Sequence, residues 1–487
     1  MTILKLLKKH SNIVFLVLIV FFAIFLRFYK LEQFATFLAD QGRDAIIVKR
    51  IATFEHFTAI GPPTSVGHVF SGPFYYYFIA PWFWLFNFQP VALAFGIAFF
   101  SIVFLVTNYF VMRNLSNSKV AFISTFFLAF SSTMIEFSRF SWNPNPLPFF
   151  ALLSYVVLIK SFEKKNYFLF VLFGALIAFS IQLHYLALFL ILPSIVLFLV
   201  KMFEREKSRK NIFLGGIVSV ISFIVCSSPL IIFDLKHNFL NAKSFIALIQ
   251  SPSQIASNKI DNFFLSFNYL NQYSFHINFP IVLASLFAVI LICYFVYTIR
   301  SVKSIITPFN TLFLFLMLTF VGVSLYPGPK HAHYFGIIYP FYYVVIAYLL
   351  SRLLINKGGI ILVSGLLIAY ILFNAQGYSF FYRDQQNQIQ HAKKVSAFLN
   401  TAIGNKPFNF AVQPDSWQED SYLYFLELGG KRPANREKQE VTDQMFVVCG
   451  DPCNLYITRS WNVTMFGKFK IQDQWSIEGV KIYKLIH

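Results

Sequence analysis

The sequence predicts an all-α polytopic membrane protein with a small α/β domain at its C-terminal end. Three observations carry that reading. Of 487 residues, 57% are hydrophobic and 13% charged, against roughly 25% charged in an ordinary soluble domain. Apolar runs of the length a bilayer demands recur along the chain. From about Tyr378 onward the composition turns to that of a soluble domain. Gly and Pro, 21 and 20, are ordinary in number, which sets aside collagen-like, disordered and low-complexity readings. The net charge of +19 also has a place: residues 1–379 hold 27 of the 40 basic residues but 10 of the 21 acidic ones. That excess comes in small clusters between apolar runs, as orienting charge does. A nucleic-acid binder gathers it into one patch, so nucleic acid is not an expected partner.

The first membrane helix is Asn12–Phe28, preceded by Lys5, Lys8 and Lys9. No small-residue cleavage site follows, so it reads as a retained helix with its N-terminus in the cytoplasm. Further runs lie near 91–112, 119–135, 147–162, 167–183, 186–200, 212–233, 278–299, 307–325, 335–351 and 358–374, about eleven spans in all. With that threading every cytoplasmic loop is basic: Arg113 and Lys119; Lys160, Lys164 and Lys165; Lys201, Arg205, Lys207, Arg209 and Lys210; Arg300 and Lys303; Arg352 and Lys357. Gly72–Phe88 is also apolar, but a span there would put the later basic loops outside. Its Tyr and Trp content suits a juxtamembrane or re-entrant element. The scheme makes residues 1–377 a transmembrane module, with a long first outer loop at 29–90, and residues 378–487 an extracytoplasmic domain. A bacterial-type cytoplasmic membrane is the expected location. Seven of the ten acids before the tail fall on the outer side: Glu32, Asp40, Asp44, Glu55, Glu136, Asp234 and Asp261.

In the tail, the segment 384–403 has helical spacing of apolar residues, and FNFAVQ, QMFVVC and VKIYKLI read as strands. Cys226 and Cys293 lie in spans as packing residues. Cys449 and Cys453, outside by this topology, are predicted to form a small disulfide clip.

The outer loops hold the residues that could carry chemistry. In LADQGRDAI, residues 38–46, Asp40 and Asp44 are four apart, on one face of a helix, with Arg43 beside them. A carboxylate near a low-dielectric surface can become a general base; the bland alternative is an interfacial helix with solvated charges. GPPTSVGHVFSGPFYYYFIAP, residues 61–81, gives a shaped turn containing His68. The next outer loop, EFSRFSWNPNP, carries Glu136, Arg139, Asn143 and Asn145, and Arg139 is a candidate for a lipid phosphate. His184 stands at an outer turn. Lys330, His331 and His333 place three potential cations at the outer edge, an anion site by simple electrostatics.

Together these segments resemble the polytopic C-type glycosyltransferases that use polyprenyl-phosphate sugars, in particular the family 39-like branch of protein O-mannosyltransferases and the aminoarabinose transferase. The resemblance rests on LADQGRDA, the Gly/Pro turn with its aromatic stretch, SRFSWNPNPLPFF, and HYFGIIYP (His333, Tyr334, Pro340). It departs from the family at Gln41, where Glu is usual after the Asp, and at Asn143 or Asn145, where Asp is usual. It implies transfer of a hexosyl or pentosyl unit, with inversion, from a polyprenyl-phosphate donor to a hydroxyl acceptor (protein, lipid or glycan). Asp40 would be the base, Asp44 would orient Arg43 or the acceptor, and Arg139, Lys330, His331 and His333 would meet the leaving phosphate. No metal is predicted, a divalent ion being the only cofactor alternative. A transporter or flippase of lipid-linked sugars would place ionisable groups at the midplane, and an O-antigen ligase or polymerase would rely on a late outer loop. Charges confined to loops and an acidic motif in the first loop favour the transferase.

Overall fold

The computed structural model describes residues 11–64, 69–203, 209–250, 258–302, 306–326, 328–414, 419–450, 453–456 and 460–487. The apolar runs all become helices: α1 Ser11–Phe28, then, after the first outer loop, α4 Val91–Leu115, α5 Ser118–Phe130, α6 Ser132–Ser138, α7 Leu147–Lys164, α8 Tyr167–Leu183, α9 Ile191–Phe203, α10 Arg209–Lys236, α13 Ile281–Val302, α14 Pro308–Leu325, α15 Tyr339–Leu353 and α16 Lys357–Ala375. The loop between α1 and α4 holds α2 Ala39–Ala52 and α3 Phe74–Leu85, and α11 Leu240–Gln250 and α12 Lys259–Phe275 follow α10. The chain is thus a multi-pass integral membrane protein, but the count of eleven spans does not carry over. Among the described residues six helical stretches are long and apolar enough to cross a membrane, or seven if the bent pair α5–α6 is one span. The others fall short because they are shorter, as α8 is, or because charge enters them, as Lys160, Glu163 and Lys164 do in α7. α3 has 12 residues, about 18 Å of helix, too short to cross a hydrocarbon layer of about 30 Å. It lies against α2 and α4, as a juxtamembrane element should.

The break between α5 and α6, a bend of 61°, is made by residues the sequence scarcely marks. Ser131 leaves the helix and caps α6 by accepting from Met134 N. The carbonyls freed at the end of α5 cannot be left bare in a low-dielectric layer. Arg27 of α1 supplies their donors: it bonds Leu128 O and Ala129 O, each at 3.1 Å, and Ser101 at 2.8 Å. In return, Arg139 at the end of α6 caps α1, bonding Leu26 O at 2.8 Å, Arg27 O at 3.1 Å and Tyr29 O at 2.8 Å, with its guanidinium 4.0 Å from the Phe380 ring. Two buried arginines therefore brace the start of the module reciprocally.

The soluble domain runs α17 Gln388–Ile403, β1 Asn409–Gln413, α18 Asp420–Leu428, β2 Gln444–Cys449, α19 Trp461–Phe466, β3 Lys470–Ile477 and β4 Val480–Ile486. The sheet order is β1-β2-β4-β3, with β1 and β2 parallel and the other pairs antiparallel. The expected helix and the three expected strands are present, and Cys449 and Cys453 are disulfide-bonded. β3 was not apparent in the sequence because KIQDQWSI is an exposed edge strand with a register shift between Ile471 and Asp473; its polar residues hide the alternation.

Replacing Arg139 with Ala should lower the melting temperature of the detergent-solubilised protein, with a cost on the order of 3 kcal/mol for charged donors lost from buried carbonyls. Arg139→Lys should fall between, since an ammonium lacks the planar fork. Unchanged melting of Arg139→Ala would remove the bracing role.

Candidate active site

α2 begins at the acidic motif. Its buried face reads Gln41, Gly42, Asp44, Ala45, Val48, Ile51, the three-and-four spacing of an amphipathic helix, except that Gln41 and Asp44 are polar. Asp44 is the inner carboxylate: its side chain is 1% exposed, against 49% for Asp40. Arg43 joins the two. Its Nη1 lies 2.8 Å from Asp40 Oδ1, and Nε and Nη2 lie 3.0 and 2.7 Å from Asp44 Oδ1. Tyr76 of α3 donates to the same Asp44 oxygen at 3.2 Å, and Asp44 Oδ2 is buried with no hydrogen-bond partner. Burial pushes the Asp44 carboxyl up to about 6, with the Arg43 guanidinium opposing it, while Arg43 itself is held above its ordinary range by Asp44. The exposed carboxylate is therefore the one an incoming group can reach, and the buried one fixes Arg43.

The second loop is tied to this motif by an amide. Gln41 Oε1 accepts from Leu38 N at 3.3 Å, and Gln41 Nε2 donates to Ser141 O at 3.1 Å; a Glu could not donate. Ser141 Oγ shares a 2.5 Å hydrogen bond with the Tyr75 hydroxyl. The other departures from the family pattern behave alike: Asn143 Nδ2 donates to Leu183 O at 2.7 Å and Asn145 Nδ2 to Phe140 O at 2.8 Å. Amides stand here because backbone carbonyls need donors.

The same loop reaches the late cluster. The Trp142 ring is 4.6 Å from His333, His333 is 5.5 Å from His184 and 5.7 Å from His331, and Tyr334 packs on all three histidines. Burial pulls His184 down to about 4 and His333 to about 3, so both are neutral near pH 7. His184 Nδ1 accepts from Leu186 N at 3.2 Å, which leaves its Nε2 to donate. Lys330, pulled by burial to about 8, bonds Tyr326 O and Gly328 O. The expected trio of cations is thus corrected: His333 offers a neutral imidazole, and His184 with it. Arg139, expected at a phosphate, caps α1 instead. Glu136 is exposed on α6, and His68 lies outside the described residues. Around it, the Gly/Pro turn forms a hairpin-like loop, Gly61 N to Ser71 O at 2.7 Å and Thr64 N to Val69 O at 2.7 Å, closed onto α8 by Phe74 N to Gln182 Oε1 at 3.2 Å.

Among the described residues no three His, Cys, Asp or Glu side chains are grouped so as to hold a metal ion. The cation between Asp40 and Asp44 is Arg43, and these residues do not fit a metal. Sequence reasoning missed Arg27, Gln41 as a bridge, Ser141, Tyr76 and the soluble domain's contact with α2. A hydrogen-bonding Gln at a family-deviant position was the one signal available.

This arrangement defines a class. Residues 71–232 match the family of dolichyl-phosphate-mannose-protein mannosyltransferases, about a third of the chain. Across nearly its whole length the fold is similar to the crystal structure of ArnT from Cupriavidus metallidurans bound to undecaprenyl phosphate: TM-score 0.64, 11% identity, 96% of this chain and 97% of that one. The apo state of the same protein gives a TM-score of 0.62 at 10% identity, covering 98% of each chain. The archaeal oligosaccharyltransferase AglB from Archaeoglobus fulgidus, in complex with an inhibitory peptide and a dolichol-phosphate, gives 0.56 at 13% identity, covering 91% of this chain and 70% of that one. No curated protein matches the sequence. The chain has the C-type glycosyltransferase fold, and its resemblance to the family 39-like branch rests on the family match over residues 71–232.

Because Asp44 must be ionised to hold Arg43, activity should fall as pH drops through about 6. Asp44→Asn should abolish that limb and lower activity throughout; a pH–rate profile unchanged by the substitution would refute the assignment. The raised carboxyl also means that the folded state binds this proton more tightly than the unfolded one, so Asp44 disfavours folding above about pH 6 and the deficit disappears toward pH 4.

Proposed function

We propose that this protein is an inverting membrane glycosyltransferase that moves a sugar from a polyprenyl-phosphate donor to an acceptor hydroxyl at the extracytoplasmic face. The observation that carries the reading is the pairing of Asp40, exposed, with Asp44, buried, through Arg43, in a site that Gln41 and Trp142 connect to the Lys330–His333 segment. It is supported by the family matched over residues 71–232 and by neighbours of the same fold that hold undecaprenyl phosphate or dolichol-phosphate. The basic loops support a cytoplasmic N-terminus and an extracytoplasmic soluble domain.

Asp40 takes the proton of the acceptor hydroxyl, whose oxygen attacks the anomeric carbon. The bond from that carbon to the phosphate oxygen breaks, and polyprenyl phosphate departs with the electron pair. Its charge meets Lys330 and the imidazole N–H donors of His331 and His333. Asp44 acts through Arg43, which keeps the Asp40 carboxylate oriented. The aromatic α3 forms a wall beside the site.

The test is transfer of labelled sugar from polyprenyl-phosphate donors in proteoliposomes. Asp40→Asn should reduce turnover by roughly 10²- to 10⁴-fold, the usual worth of a positioned base; wild-type turnover would remove Asp40 from the mechanism. His333→Ala should weaken donor use more than acceptor use, read as a rise in KM for the lipid; a change confined to acceptor KM would contradict its placement.

A further inference from the structure

The soluble domain meets the catalytic motif directly. Gly42 lies against the start of α18: a Cβ there would sit 2.4 Å from the carbonyl carbon of Asp420 and from Ser421 N, so no side chain fits. Seven residues along both helices the contact recurs. Glu427 receives Lys49 Nζ at 3.1 Å and Arg50 Nη2 at 2.5 Å, and Arg432 bonds both Glu427 and Glu55. Seven residues is two turns, about 10 Å of helix, so α2 and α18 run parallel, with their N-terminal ends, and therefore Asp40 and Asp420, side by side. Tyr424, between those contacts, packs on Phe37 and Phe83 of the first loop.

Asp420 has no hydrogen-bond or salt-bridge partner among the described residues. It is half-buried, and beyond its own domain its charged neighbours are Arg43 and Asp40. The nearby Arg436 is committed to Glu419. Arg43 bonds Asp40 and Asp44, and Asp420 stands near this pair as a third carboxylate with no donor of its own. A ligand that brings O–H or N–H groups supplies one.

Resting on the transferase reading above, we propose that Asp420 is an acceptor-binding residue, so that the acceptor site is built half from the membrane module and half from the soluble domain, and takes a group whose reacting hydroxyl is flanked by further O–H or N–H donors. Asp420 accepts a hydrogen bond from that group and sets the reacting oxygen against Asp40. The close contact at Gly42 keeps the two halves in register.

The full-length protein in proteoliposomes is given a panel of tritiated polyprenyl-phosphate hexoses and pentoses as donors, with a cell-membrane fraction of its source as acceptor. Both transfer and release of free sugar to water are counted. Asp420→Asn should lower the ratio of transfer to hydrolysis by roughly tenfold or more, the worth of a charged hydrogen bond, and Asp420→Glu should recover part of it. Gly42→Ala, which removes no carboxylate but forces α18, and Asp420 with it, away from α2, should lower the same ratio. Thermal unfolding of each variant separates this from misfolding, which lowers both products and leaves the ratio alone. An unchanged ratio in Asp420→Asn overturns the proposal. Wild-type protein that neither transfers nor hydrolyses any of these donors overturns the transferase reading and this proposal with it, whereas full activity in Asp40→Asn removes only the base and leaves the Asp420 ratio to be read.

Discussion

A helix that breaks inside a membrane protein exposes backbone carbonyls that water cannot reach, and the candidate site of this protein is arranged around that constraint. The chain breaks after Phe130 and sets off again at 61° from Ser132. Arg27 satisfies the carbonyls left at the break, and Arg139, beyond the short helix that follows, satisfies those at the end of α1. The bend carries residues 139–146 across the outer end of the first helix. From there Ser141 meets Gln41 and Trp142 meets His333. Without the break, the acidic motif and the late histidines would have no common neighbour.

The same economy of donors explains where this chain departs from the pattern it resembles. Gln41, Asn143 and Asn145 each donate an amide hydrogen to a backbone carbonyl, and a carboxylate in any of these places would repel that carbonyl. Acidic character is concentrated instead on α2, where Arg43 neutralises part of it. Burial then divides the labour: Asp44 serves Arg43, and Asp40 faces outward. At the far side, burial strips His184 and His333 of charge, so that segment offers N–H donors together with the Lys330 ammonium.

Much of this was legible in the sequence. Long apolar runs predicted the helices because a bilayer demands them, and Gly72–Phe88, set apart by the charge of the later loops, holds a helix of only 12 residues. The acidic motif, the second loop and the Lys330–His333 segment were all singled out in the sequence, and the structure links them through Gln41 and Trp142. Legibility ended where tertiary burial decides the outcome. Arg139 reads as a free outer cation until the carbonyls of α1 are seen beside it. His333 reads as a cation until its neighbours bury it. The break at Ser131 is two serines in an apolar stretch, and the contact between Gly42 and Asp420 joins residues 378 positions apart, beyond the reach of any local pattern. The count of eleven spans is not confirmed, because apolar length alone does not separate a crossing helix from one packed within the module.

The central claim is that the α2 motif and the Lys330–His333 segment, joined by the loop around Ser141 and Trp142, line one site for a lipid phosphate and its sugar. Its most direct test is a structure of the full-length protein in nanodiscs with a polyprenyl phosphate bound. The account predicts phosphate density beside Lys330, His331 and His333, with the space next to it opening onto Asp40. Phosphate held elsewhere, with Asp40 and His333 lining separate cavities, would contradict it.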